Sequence, residues 1–372
     1  MLKPHNRGTV LLCAVAGILV ILAMSPAGFA QTTGAVYING NTAANEVWAY
    51  TRAADGTLTF AGTYSTQGSG SALSSVNSQG GIVLSPNGKA LFVVNNISND
   101  ITMFAVTGPG QLTFLQRVSS GGQYPVSLAV FRNVLYVLNA RVSANITAFK
   151  FSRTGMTPIA GSTLPLSTGL PNPAQISFSP SGKLLVVAEI STSKLDTYTV
   201  AKTGLATGPQ VQNSNGRGPF GFAFDNAGRL IVSEVTKSAM SSYAVSPSGA
   251  LSVITGSLLD LGAAACWVVN TNNAAFPNQY SYVTNTASGT MSGYRINSDG
   301  SIALLNPDGI TVDLGPTSDP IDMAVSADNN YLYTLEGTAQ GIVGFQIQPD
   351  GSLVQVTSVS GSPTSSFGIA AN

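Results

Sequence analysis

The sequence predicts an all-β chain folded as a seven-bladed β-propeller. Each blade has four antiparallel strands, and the C-terminal strand closes the ring by joining the first blade. Three observations predict this: a sevenfold repeat, a four-strand pattern inside each repeat, and chain ends that supply complementary parts of one blade. The repeat is marked by Tyr50, Phe104, Phe149, Tyr198, Tyr243, Tyr294 and Phe345, spaced 54, 45, 49, 45, 51 and 51 residues apart. Six residues after each stands a glycine: Gly56, Gly110, Gly155, Gly204, Gly249, Gly300 and Gly351. Repeats of roughly 45–50 residues with four short strands each have the period of propeller blades.

Within a repeat, strand a is a short apolar run such as Gln175-Ile-Ser-Phe-Ser, ending in a turn of the type Pro180-Ser-Gly-Lys183. Strand b is β-branched and apolar, as in Leu91-Phe-Val-Val-Asn95. Strand c carries the aromatic residue, as in Ile101-Thr-Met-Phe104. The conserved-offset glycine then supplies a turn that needs positive φ, and strand d follows. The alternation of apolar and polar residues suits half-buried antiparallel strands. The first repeat begins at a b-strand, Ala35 to Asn39, while the chain ends in an a-like run, Phe367 to Asn372. The first blade is therefore expected to take its inner strand from the C-terminus, which leaves no open edge.

Residues 1–30 differ from the rest. Lys3 and Arg7 precede an apolar run from Thr9 to Met24, and small residues lead to Ala30. This is the pattern of a secretory signal peptide cut after about Ala30, with residues 31–372 forming the propeller. The alternative is a retained anchor, but the run is at or below the ~18 residues of a spanning helix. Export through this signal, to the periplasm or beyond the cell, is the expectation, with no membrane association after cleavage.

Cleavage removes His5, the only histidine, together with Lys3 and Arg7. The 16 basic residues become 14 against 16 acidic ones, a net charge of −2. No basic field remains to attract nucleic acid. Cys266 is the one cysteine left, so no intramolecular disulfide can form, and a buried structural thiol is expected. His-based metal sites and triads are not available to such a chain. It is expected to be a monomer.

Strand a begins, and strand b ends, on the same face of a propeller. Near the axis, those two positions are the natural candidates for a site. The ends of the b strands carry Asn39, Asn95, Asn139, Glu189, Glu234, Asn285 and Glu336. Near the starts of the a strands stand Ser127, Gln175 and Asp322. Arg141 follows Asn139 and Arg217 precedes Pro219, so one sector could gather Arg141, Glu189, Arg217 and Glu234. Polar residues at strand ends also cap backbone groups, which is the competing explanation for a repeated position.

The stretches Gly80-Gly-Ile-Val-Leu-Ser-Pro-Asn-Gly-Lys89 and Ile176-Ser-Phe-Ser-Pro-Ser-Gly-Lys183, taken with the aromatic-x5-Gly signal, resemble the seven-bladed lactonase family. That family includes 6-phosphogluconolactonase-like and carboxymuconate-cyclising propellers. The likeness spans roughly residues 33 to 372 and implies hydrolysis of a sugar-type lactone. Family enzymes commonly open an a strand with Gly-Pro-Arg-His. Here the matching stretch is Gly218-Pro219-Phe220-Gly221, which lacks both the Arg and the His.

Two functions follow. In the first, the protein hydrolyses a lactone. Glu189 or Glu234 activates water, and Arg141 or Arg217 stabilises the oxyanion. Ca²⁺ or Mg²⁺ on the acidic positions could take part, since both prefer oxygen ligands. In the second, the protein is a non-catalytic exported propeller that binds a sugar, a peptide or a cell-envelope partner. There the polar set Asn39, Asn95, Asn139, Asn285, Glu336, Gln175, Asp322 and Ser127 would line the binding face.

Overall fold

Seven turns need a left-handed residue six places after an aromatic, and glycine meets that need in all seven. Gly56, Gly110, Gly155, Gly204, Gly249, Gly300 and Gly351 hold φ between 68° and 150°. Each ends the hairpin that returns strand c into strand d. The aromatics they follow are all buried, at 0–2% exposure. In six blades the aromatic lies opposite a Leu or Val of strand b, for example Phe104 opposite Leu91 and Phe345 opposite Leu332. Tyr294 lies opposite Ser281 instead. Burying such a side chain contributes about 1.5–3 kcal/mol relative to leaving it exposed.

The computed structural model describes residues 1–2, 31–73 and 76–372. The expected signal segment, with its cleavage site at Ala30, lies outside the described residues apart from Met1 and Leu2. From Gln31 onwards the described residues form seven antiparallel sheets and no helix. The sheets are the blades of a seven-bladed β-propeller.

The fourth blade shows the plan. Strand a runs from Pro173 to Phe178, b from Leu184 to Glu189, c from Lys194 to Val200 and d from Ala206 to Asn213. They pair in that order. In blades 3 and 6 strand d is broken into two pieces, Gly155–Pro158 with Leu164–Pro165 and Ile302–Leu304 with Val312–Asp313. The start of a pairs with the end of b in blade after blade: Pro125 with Asn139, Pro173 with Glu189, Pro219 with Glu234 and Pro320 with Glu336. This end of the blades is called the upper face below.

Ring closure is as expected. Ile369–Ala371 pairs with Thr32–Asn39 as the inner strand of blade 1. The Asn372 side chain accepts from the Ala35 amide at 2.6 Å, and Arg52 Nε donates to the Asn372 carbonyl at 3.0 Å. Phe367 is 2% exposed and packs into the core of blades 2 and 3. Replacing such a core phenylalanine costs about 3–5 kcal/mol. Deleting residues 367–372 removes Phe367 and the inner strand together. The deletion should therefore lower the urea midpoint by more than Phe367→Ala does, in equilibrium unfolding followed by tryptophan fluorescence.

Candidate functional site on the upper face

Strand a does not run smoothly. In blades 3 to 7 its pairing with b slips near the start, at Pro125/Ser127, Pro173/Gln175, Pro219/Phe222, Ala265/Val268 and Ile321/Met323. Such bulges re-aim side chains. The residues concerned are Ser127, Gln175, Gly221, Trp267 and Asp322. Four of the five meet one segment, Val76 to Gly80, which crosses the axis on its way into blade 2.

This segment plugs the channel. Ser127 Oγ donates to the Gln79 carbonyl at 2.6 Å, and the Gln79 amide donates to the Ala174 carbonyl at 2.9 Å. Across the axis, the Gln79 side chain donates to the Val268 carbonyl at 2.7 Å and accepts from the Val268 amide at 3.1 Å. Trp267 Nε1 donates to the Ser78 carbonyl at 2.8 Å. Gly80 donates its amide to Asp322 Oδ2 at 3.4 Å. A Cβ at Gly221 would stand 2.4 Å from Gln79 Oε1, so glycine is required there.

The plug divides the axis. Above it lie two adjoining pockets that share Asn77 and Asn172. One is apolar, about 290 Å³, and is lined by Phe220, Trp267, Cys266, Ile190 and Val235. Phe220 and Trp267 meet edge to face with centroids 4.8 Å apart. The other is polar, about 200 Å³, and holds Arg141 and Tyr124. The Arg141 guanidinium lies over the Tyr124 ring, 3.8 Å from its centroid, and forms no ion pair among the described residues. Tyr124, the second residue of strand a in blade 3, and Asn172 and Ala264, each just before strand a of its blade, line this bowl. All three hold positive φ, at 58°, 49° and 62°. Non-glycine residues held there are strained, and such strain clusters at functional sites. Cys266 is buried as expected, and burial pushes its thiol up to about 12, which keeps it protonated and unreactive.

Below the plug is a cavity of about 380 Å³ lined by Gln79, Gln175, Ser177 and Asp322. Asp322 accepts from three backbone amides, those of Met323, Gly80 and Ile369. Burial outweighs these bonds and pushes its carboxyl up to about 7. Gln175 spends its amide on both backbone groups of Phe222, at 3.0 and 2.6 Å.

All seven b-strand ends are buried, at 0–3% exposure, and the side chains of Asn139, Glu189, Glu234 and Glu336 bond to the loop that enters their own blade. Glu189 accepts from Ser167 through its amide at 3.0 Å and through its hydroxyl, and from Thr192 Oγ1. Glu234 accepts from the Gly216 amide at 2.8 Å, Ser241 Oγ at 2.5 Å and Ser257 Oγ at 2.6 Å. Asn95 donates to Asp100 and Thr102, Asn139 to the Ser120 carbonyl and Asn145, Asn285 to Thr290 and Ser292, and Asn39 to the Val94 carbonyl. Glu336 accepts from Ser318 Oγ, and burial, with Asp319 nearby, pushes it up to about 7. Asp196 shares the Ser167 amide with Glu189, and burial and that neighbour raise its pKa.

The acidic sector expected from the sequence is therefore not assembled as expected. Glu189 and Glu234 lie inside their own blades, and no carboxylate lines either upper pocket. Arg141 reaches the bowl, whereas Arg217 is exposed on its loop and lines neither pocket. The acidic positions do not fit Ca²⁺ or Mg²⁺ either. Hydroxyl and amide donors take the lone pairs of Glu189 and Glu234 that a cation needs. Among the described residues no three His, Cys, Asp or Glu converge.

A propeller with a plugged axis and a half-apolar, half-polar bowl on one face is the class of protein that these observations define. A family profile described as "Lactonase, 7-bladed beta-propeller" matches residues 29–166 and 167–367. The chain belongs to that family. Among solved structures, a candidate 6-phosphogluconolactonase of Bacteroides fragilis is similar at 15% identity, with 91% of this chain and 98% of that one covered and a TM-score of 0.71. A periplasmic gluconolactonase of Pseudomonas aeruginosa is similar at 15% identity, 90% and 98% coverage and TM-score 0.67. A Lactobacillus plantarum protein gives 16%, 92%, 100% and 0.72. At these identities the likeness is one of fold. No curated protein matches the chain.

Asp322 and Glu336 make stability depend on pH. Each has a folded pKa of about 7, above the unfolded value of about 4. Between those values the folded protein keeps protons that the unfolded chain has lost. The stability these groups contribute is therefore present below pH ~4 and is lost as pH rises through ~7. Asp322→Asn and Glu336→Gln should each flatten this fall by up to about 1.4 kcal/mol per pH unit. Urea titrations from about pH 4 to 8 read the slope.

Proposed function

We propose that the protein hydrolyses a sugar-type lactone in the upper bowl. The single observation that carries this reading is Arg141, a guanidinium without an ion-pair partner among the described residues, held over Tyr124 beside Asn77 and Asn172. Arg141 takes the lactone carbonyl oxygen and stabilises the oxyanion that forms as water adds to the carbonyl carbon; the ring C–O bond then breaks, and the proton released by the water passes through solvent to the departing ring oxygen, giving the hydroxy acid. Asn77 and Asn172 bond to ring hydroxyls. The C–H face of the ring rests on the Phe220 and Trp267 side of the bowl. Water comes from solvent, since no carboxylate lines the pocket to act as a base. Membership of the lactonase family and the gluconolactonase description of the Pseudomonas neighbour support the substrate class.

A second reading is favoured by that missing base: a non-catalytic propeller that binds a carbohydrate or a cell-envelope partner in the same bowl. The two readings part on turnover. Acid release from aldonolactones is followed at constant pH, and binding of the matching lactams by calorimetry. Hydrolysis predicts turnover above the spontaneous rate. Removing one oxyanion donor costs about 10²–10³ in kcat, so Arg141→Ala should lose about a hundredfold, while a chelator should change nothing. Lactam binding with no turnover in the parent would leave the binding reading standing.

We also propose that the chain is exported as a monomer after cleavage near Ala30. The charged, then apolar, then small-residue order of residues 1–30 supports this, as does the likeness to the periplasmic gluconolactonase of Pseudomonas aeruginosa. In a bacterial host, the protein recovered from the periplasm or medium should begin at about Gln31 by N-terminal sequencing. Full-length chain in the membrane fraction would refute cleavage.

A further inference from the structure

The lower face, where strands a and c end, is divided by charge. The a–b and c–d turns of blades 2, 3 and 4 carry Lys89, Arg132, Arg153, Lys183 and Lys202, and no carboxylate. The matching turns of blades 5, 6, 7 and 1 carry Asp225, Asp299, Asp328, Asp350 and Asp55. There Arg229 pairs with Asp225 and Arg52 with Asp328. The cations of blades 2 and 3 have no such partners: Lys89, Arg132 and Arg153 enter none of the ion pairs among the described residues.

These three cations surround the mouth of one cavity. It lies between blades 2 and 3 and measures about 820 Å³, within the ~300–1,000 Å³ that accommodates a small molecule. Its inner wall is apolar: Ala90, Met103, Leu115 and Phe151. Phe151 is braced edge to face against Phe92, with centroids 4.8 Å apart. Lys89, Arg132 and Arg153 are exposed at its rim. Three like charges around one opening repel one another, and an anion between them removes that cost. The wall behind them offers apolar area to whatever carries the anion.

We propose that this gap is a second binding site, for an amphipathic organic acid. The acid group sits among Lys89, Arg132 and Arg153, and the hydrocarbon body lies on Met103, Leu115 and Phe151. The site shares no residue with the upper bowl and does not depend on what the bowl binds.

Calorimetric titration of the purified protein with decanoate, below its micelle concentration, tests the assignment. Decanoate should bind and should weaken with added salt, as expected for exposed charges. Decyltrimethylammonium, with the same chain and the opposite charge, should bind at least tenfold more weakly. Arg132→Glu with Arg153→Glu should weaken decanoate at least tenfold. Leu115→Trp, which fills the wall and leaves the charge alone, should weaken both probes. Circular dichroism melts establish that each variant is folded. The proposal is overturned if the parent fails to bind decanoate, if the charge-reversed variant binds it as the parent does, or if the cationic probe binds equally well.

Discussion

Seven blades around an axis leave a hole lined by strand a, and the structure depends on how that hole is filled. Here a single chain segment, Val76 to Gly80, fills it. Its polar backbone groups lie in the interior, where a bare amide or carbonyl is costly. The inner strands answer those of Gln79 and Gly80 and the Ser78 carbonyl: Ser127 and Leu128 from blade 3, Ala174 from blade 4, Trp267 from blade 6 and Asp322 from blade 7, while Val268 holds the Gln79 side chain. The bulges in strand a turn these groups inward. The plug is thus both a tie between non-adjacent blades and a partition, forming the floor of the upper bowl and the roof of the lower cavity.

The repeat and the site obey different demands. Every blade must anchor the connection that enters it from the blade before, and in blades 3, 4, 5 and 7 a polar side chain at the end of b does this by bonding to that connection. Glu189 and Glu234 satisfy that demand with carboxylate lone pairs and Asn139 with its amide, whereas Asn95 and Asn285 bond to strand c of their own blade. The close fit is visible at Gly216, where a Cβ would fall 1.9 Å from Glu234 Oε2. A residue committed so tightly to architecture has little left for chemistry. The residues that line the upper bowl instead stand where blades depart from the repeat: Arg141, Tyr124, Asn172, Phe220 and Trp267.

That difference explains what could be read from sequence. The aromatic and glycine signal identified the blades because it is a local rule, one buried ring and one left-handed turn, repeated seven times. Closure by Ile369–Ala371 was legible because the first and last strands are complementary parts of one blade. The ring of Asn and Glu side chains was visible as a pattern, but a pattern does not say whether a side chain faces a ligand or a neighbouring loop. Asn77 and the plug left only a trace, the 54-residue step from Tyr50 to Phe104, the longest in the series. The connection between Ser65, the end of strand d in blade 1, and Ile82, the start of strand a in blade 2, takes up that extra length. No periodicity marks it.

The missing Arg-His pair after Pro219 and the plug are connected by geometry. The family's histidine position is Gly221, where even a Cβ would meet Gln79 Oε1 at 2.4 Å and the Cys266 carbonyl at 2.5 Å. An imidazole cannot stand there while Gln79 holds Val268. The family's arginine position is Phe220, whose ring packs against Trp267 and belongs to the apolar wall. The plug therefore excludes the usual histidine from the axis, and the apolar wall displaces the usual cation from blade 5. Arg141, two blades away, is the cation on the polar side of the same bowl. The close packing at Gly221 and that at Phe220 both follow from filling the same hole.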